Sequence, residues 1–139
     1  MTPARLQAEV AVTIPFHDVD MMGIGWHGHY AKYFEIARCA LLEQIDYGYD
    51  AMRESGFTWP VIDLRVRYVK PVRFGQRVLV KAILREWEHR LLIDYLLTDA
   101  QSGHRLTKGT TSQVAVDIAS GEMCFVSPAV LFDRLGVSR

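Results

Sequence analysis

Two carboxylates, three imidazoles and three glycines crowd residues 17–29: Asp18 and Asp20; His17, His27 and His29; Gly23, Gly25 and Gly28. The whole chain has five histidines and ten glycines, so this segment is not a generic loop. A carboxylate can attack a carbonyl or take a proton from water, and an imidazole can orient either partner. Glycines let the backbone approach a ligand closely. A helix beginning near residue 29 leaves its first N–H groups without intrahelical partners, which suits them to an oxyanion or a polarised carbonyl. Together these are the parts of an acyl-transfer centre.

Each residue also has a plainer reading. Asp20 is either a nucleophile or general base, or a carboxylate capping the loop. Asp18 reads as structural, accepting backbone N–H bonds in the glycine loop. The His27 ring orients water or substrate, or bonds within the loop; the backbone N–H of His27 or Gly28 is the better candidate for binding. His17 and His29 read as interface or surface residues. Asp18, Asp20, His27 and His29 also have the composition of a metal site, but their spacing is no recognised metal pattern, so no metal is expected.

Elements on either side must hold this loop. Residues 8–16 alternate apolar and polar with a period of two, a strand pattern. Residues 29–47 repeat at helical spacing, with Tyr30, Tyr33, Phe34, Ala37, Ala40, Leu41 and Ile45 on one face. Lys32, Glu35, Glu43 and Asp46 lie opposite, flanked by Ile36 and Leu42, so most of this helix should be buried. Gly48 ends it, and residues 50–55 read as a short second helix closed by Gly56. Alternation then returns around residues 62–68, 78–84, 91–97 and 106–118. Gly109 is a candidate bulge, Pro71 suggests an edge or a bulge, and Gly75, Gly103 and Gly121 sit where hairpin turns belong. Residues 128–135 suggest a last small helix, with Ser127 as its N-cap and Pro128 its first residue. A long apolar helix beside about five antiparallel strands buries itself best across the sheet, an α+β arrangement.

The chain has 139 residues, which is one domain by size, with a core expected over residues 8–135. Sixteen Lys+Arg balance sixteen Asp+Glu, which argues against a general nucleic-acid binder and a polybasic membrane anchor. No apolar run is long enough to span a membrane, and no secretory signal is visible. Cys39 and Cys124 match no metal spacing and form at most one bridge, so a cytoplasmic location is expected.

Asp18-x-Asp20-x-x-Gly23, then His27, then Tyr30-x-x-Tyr33-Phe34-Glu35-x-Ala37-Arg38 resembles the signature of hotdog-fold acyl-CoA thioesterases. The closest branch is the 4-hydroxybenzoyl-CoA thioesterase type, including the thioesterases associated with the Tol-Pal system. The stretch Tyr68-Val69-Lys70-Pro71-Val72-Arg73-Phe74-Gly75 resembles that family's exit from its second strand. The resemblance implies a hotdog fold, with the sheet wrapped around the long helix in homodimers or homotetramers whose active sites lie at the dimer interface. It implies no cofactor. It makes Asp20 the catalytic carboxylate, puts His27 at a position that is His or Tyr in the family, and rests the thioester carbonyl on the amides of His27 and Gly28. Gly23 falls within the same motif. The family's basic cluster for the CoA nucleotide follows a Trp on a middle hairpin. Here that stretch is Trp87-Glu88-His89-Arg90, with one clear cation.

The sequence therefore points to an acyl thioesterase acting on an acyl-CoA or acyl-carrier-protein thioester. Asp20 and His27 are the candidate catalytic residues, and Gly23, Gly28 and Trp59 the candidate substrate contacts, Trp59 lining the acyl pocket. Two alternatives stand beside it. A hotdog dehydratase would pair His27 with Glu35 of a neighbour, leaving Asp20 without a role. A non-catalytic acyl-CoA-binding module would need no carboxylate beside a carbonyl. Residues 63–81 hold six Lys/Arg and one acid. They form either a solvated strand face or a landing strip for CoA phosphates or an acidic carrier.

Overall fold

The computed structural model describes residues 6–25 and 29–138. Strand β1 (Gln7–Thr13) leads through a short 3-10 turn (Phe16–Asp18) and the glycine loop into helix α1 (Tyr30–Glu43). Helix α2 (Tyr49–Glu54), strands β2 (Phe57–Thr58), β3 (Val61–Tyr68), β4 (Arg77–Glu86), β5 (Leu91–Asp99), β6 (Arg105–Gln113) and β7 (Val116–Asp117), and helix α3 (Ala129–Leu135) follow. Five strands make one antiparallel sheet in the order β1-β4-β5-β6-β3, and β2 pairs with β7 apart from it.

The period-two pattern decides which side of the sheet is buried. Val78, Val80, Ala82 and Leu84 of β4, and Leu91, Ile93, Tyr95 and Leu97 of β5, face α1 and are excluded from solvent. The helix returns Tyr30, Tyr33, Phe34, Ala37 and Leu41, all fully covered. Phe34 stacks on Tyr95 with ring centroids 4.5 Å apart. Among the described residues, no helix is long and apolar enough to cross a membrane.

Several boundaries differ from expectation. β1 stops at Thr13, because Pro15 cannot donate to a ladder and Asp18 closes a 3-10 turn on its carbonyl (N···O 3.0 Å). α1 ends at Glu43, followed by turns through Asp46, which adopts φ 53°. The last long strand breaks between β6 and β7. Pro128, not Ser127, is the N-cap of α3; the Ser127 hydroxyl instead donates to the Trp87 carbonyl.

Two glycines do different work from that expected. Gly75 does not join neighbouring strands, since β3 pairs with β6 while β4 lies between β1 and β5. Its positive φ turns the crossing segment toward β4, where its N–H meets the Ile14 carbonyl at 2.9 Å. Gly109 is no bulge: it pairs regularly with Val66 and Tyr95, and the register shifts fall elsewhere. A β-carbon there would sit 2.3 Å from the Phe34 ring, so a glycine is what lets the helix approach the sheet.

The helix is also less covered than its pattern suggests. Ala31, Glu35, Ile36 and Cys39 are exposed on the side away from the sheet. The two sheet edges are unlike. The outward residues of β1 include Gln7, Glu9 and Thr13, whereas β3 exposes Val61, Ile62, Leu64 and Tyr68.

Candidate active site

The loop before α1 is held by its own carboxylate. Asp20 Oδ1 accepts the N–H of Met22 at 2.8 Å and of Ile24 at 3.3 Å, an Asx-type turn. Gly23, at φ 74°, supplies the left-handed residue this turn requires. The Asp20 N–H reaches the Ile24 carbonyl at 2.9 Å, and Gly23 N–H reaches the Asp20 carbonyl at 3.0 Å. The loop is then clasped to the segment after β3, with Gly25 N–H on the Val72 carbonyl at 2.6 Å and Phe74 N–H on the Gly23 carbonyl at 3.1 Å. The Asp20 carboxylate is exposed, and among the described residues no donor reaches Oδ2. One oxygen fixes the turn, and the other takes no donor from the described residues.

Asp18 is structural, as expected, but its partners are not backbone amides of the loop. Its side chain is fully buried, with Lys32 Nζ 2.6 Å from each oxygen and the Tyr33 hydroxyl donating to Oδ2 at 2.8 Å. Burial alone would push this carboxyl up, but the hydrogen bonds from Lys32 and Tyr33 outweigh it and hold it below the usual carboxylate range. Burial, then the Asp18 hydrogen bond, pushes the Tyr33 phenol up, so it stays a donor. His17 Nε2 and His29 Nδ1 lie 3.6 and 3.8 Å from Asp18 Oδ1. Both histidines therefore border this buried charge, and His29 is also the N-cap residue of α1.

Lys32 and Tyr33 escaped the sequence reading, which put one on the polar strip and the other in the core. The signal was present: adjacent positions in the first turn and a half of α1 carry an ammonium and a hydroxyl. What linked them to Asp18 is the path of the loop, which no periodicity encodes. His27 and Gly28 lie outside the described residues.

Trp59 stands at the other end of α1. Its indole N–H donates to the Tyr47 hydroxyl at 3.1 Å, and Gln113 donates to its carbonyl at 2.7 Å. A cavity of about 330 Å3 opens beside it, and its lining mixes Leu42, Met52 and Trp59 with the charged Glu35, Arg38 and Arg53. The cavity runs back along α1 as far as Glu35, whereas the Asp20 loop leads into the helix start at Tyr30. Strand β3 runs antiparallel to the helix, with Val61 at the Trp59 end and Tyr68 at the loop end, where its ring lies 4.9 Å from Tyr30.

A five-stranded antiparallel sheet laid on one long helix, with a carboxylate turn leading into that helix, defines the hotdog class. Residues 14–132 match the Thioesterase-like superfamily, and the chain belongs to it. It is a thioester hydrolase of that family. YneP of Bacillus subtilis, which bears an acyl-CoA thioesterase name, is 26% identical over 107 residues, 76% of this chain and 77% of YneP. The crystal structure of DHNA-CoA thioesterase from Staphylococcus aureus superposes with a TM-score of 0.79 at 25% identity, over 86% of this chain and 80% of that one. Slr0204 from Synechocystis, a 1,4-dihydroxy-2-naphthoyl-CoA thioesterase, shares the fold with a TM-score of 0.83 at 17% identity, over 94% and 96% of the two chains.

Proposed function

We propose that the chain hydrolyses an acyl-CoA or acyl-carrier-protein thioester, with Asp20 as nucleophile or as the base that activates water. The observation that carries this reading is the divided Asp20 carboxylate: Oδ1 is tied to two amides, while Oδ2 takes no donor from the described residues. A carboxylate so fixed keeps its direction at no further entropic cost when substrate binds. The amides of His27 and Gly28, just ahead of α1, polarise the thioester carbonyl, and the His27 ring orients water or substrate.

The working unit in this reading is a homodimer joined along β3. That edge exposes Val61, Ile62 and Leu64, and an edge strand with unpaired backbone and apolar side chains is a template for another strand. Antiparallel pairing of β3 with a second copy reverses the partner end for end. The Trp59 end of one subunit then meets the Asp20 end of the other. Asp20 and the partner subunit's Trp59 cavity would thus share one thioester, the cavity holding the acyl group. The same contact would cover the exposed side of α1 near Ile36.

A thiol-release screen over acyl-CoA and acyl-carrier-protein donors tests the reading. Free thiol with a matching amount of free acid is expected. Enoyl formation from hydroxyacyl thioesters without thiol release would indicate the dehydratase instead, and tight acyl-CoA binding without turnover the binding module.

A further inference from the structure

The sheet face turned away from α1 carries a groove of about 420 Å3 whose lining includes Arg65, Arg67, Arg85, Arg105 and Lys108, with Asp94 as its one carboxylate. Since the chain as a whole is charge-balanced, this is a local excess. Asp94 is already spent: Oδ2 accepts Arg85 Nε at 2.6 Å and Oδ1 accepts the Thr110 hydroxyl at 3.3 Å. Arg65 lies 3.6 Å from Asp63, both well exposed. Among the described residues, no carboxylate comes within ion-pair distance of Arg67, Arg105 or Lys108.

Arg67 and Lys108 are register partners, directly opposite on β3 and β6. Like charges in that position oppose strand pairing. An anion lying across them would relieve this juxtaposition, and guanidinium groups suit phosphate oxygens in particular. The groove is an open surface depression with the volume of a small-molecule site.

Its position relates it to the thioester site. Alternation along β3 puts Arg67 on the outer face and its neighbour Tyr68 on the helix face, against Tyr30 at the start of α1. The groove and the Asp20 end of α1 are therefore on opposite sides of the same end of one edge strand. Packed layers are about 10 Å apart, a depth that an extended pantetheine arm crosses. On the middle hairpin, by contrast, Arg90 already donates to Glu86 at 2.9 Å and to Ser112 at 3.3 Å.

We propose that the outer groove at Arg67, Arg105 and Lys108 binds the phosphorylated nucleotide end of an acyl-CoA, while the pantetheine arm passes the Tyr68 end of β3 to the Asp20 loop. The assignment of the thioester end rests on the hydrolase reading above; nucleotide binding itself does not.

The test uses the full chain and the variants Arg67→Gln and Arg67→Gln/Lys108→Gln, checked for native circular dichroism. Adenosine 3′,5′-bisphosphate is titrated by calorimetry, with adenosine as control. The native chain should bind the bisphosphate and not adenosine, and the double variant should bind it at least tenfold more weakly. With the acyl group best hydrolysed in the thiol-release screen, the ratio of kcat/KM for acyl-CoA to that for acyl-pantetheine should fall at least tenfold, mainly through KM. Unchanged bisphosphate binding in both variants overturns the proposal. So does a loss confined to acyl-carrier-protein substrates, which would mark an acidic protein's docking face. A changed oligomeric state with bisphosphate binding intact would equally overturn it, marking a contact between copies. A chain that binds the bisphosphate at the groove but releases no thiol would contradict the hydrolase reading and leave the groove standing.

Discussion

Lys32 Nζ lies 2.6 Å from each oxygen of the buried Asp18 carboxylate, so the first turn of α1 is bolted to the strand-to-loop junction two residues ahead of Asp20. Asp18→Asn removes the charge and keeps the shape. Lys32 is 44% exposed and can return to water, so the cost should stay near that of one charge-assisted hydrogen bond, about 1.5–3 kcal/mol in chemical denaturation. The folded carboxyl is held below its unfolded value. Its contribution is therefore full above the unfolded value of about 4 and fades as pH falls through the lower folded one. The difference in stability between native chain and variant should shrink as pH falls below about 4. A difference that persists undiminished into strong acid would contradict the ion pair.

Gly109 lies beneath the Phe34 ring, and a methyl group there would meet ring atoms at 2.3 and 2.4 Å and the Arg65 carbonyl at 3.0 Å. Phe34 is also stacked on Tyr95, so it has little room to move. Gly109→Ala should destabilise by about 1–3 kcal/mol through overpacking, even though alanine suits a strand better than glycine. A neutral or stabilising result in urea titration would show that α1 is free to lift from the sheet.

Leu64 faces the helix side of the β3 edge and is 44% exposed. A lysine at this position should block edge pairing. Sedimentation velocity should show Leu64→Lys shifted from dimer to monomer, with thiol release falling in parallel. A fully active monomer would mean that one chain holds a complete site, and an intact dimer that another surface joins the copies.

The sequence exposed those parts of the design that rest on periodicity. Alternation found the strands from β3 to β6, and helical spacing found α1 with its buried face of Tyr30, Tyr33, Phe34, Ala37 and Leu41. Boundaries slipped where a local turn ends an element, as the 3-10 turn does after Thr13 and the turns through Asp46 do after Glu43. Gly109 was misread because a glycine in a strand signals either a bulge or a close approach, and only the Phe34 ring decides between them. The Asp-x-Asp segment was legible as a glycine-bearing loop ahead of α1. Which donors each carboxylate would meet was not, since the loop's path puts Lys32 on Asp18 and the loop amides on Asp20.

The central claim is that the open oxygen of Asp20 does the chemistry, and Asp20→Asn addresses it directly. An asparagine keeps the Oδ1 acceptor for Met22 and Ile24, so the turn should survive and the melting temperature should stay close to native. Thiol release measured on the folded variant should fall by at least about a hundredfold, the scale of a lost general base or nucleophile. Turnover within a few fold of the native chain, in a variant with native stability, would contradict the account.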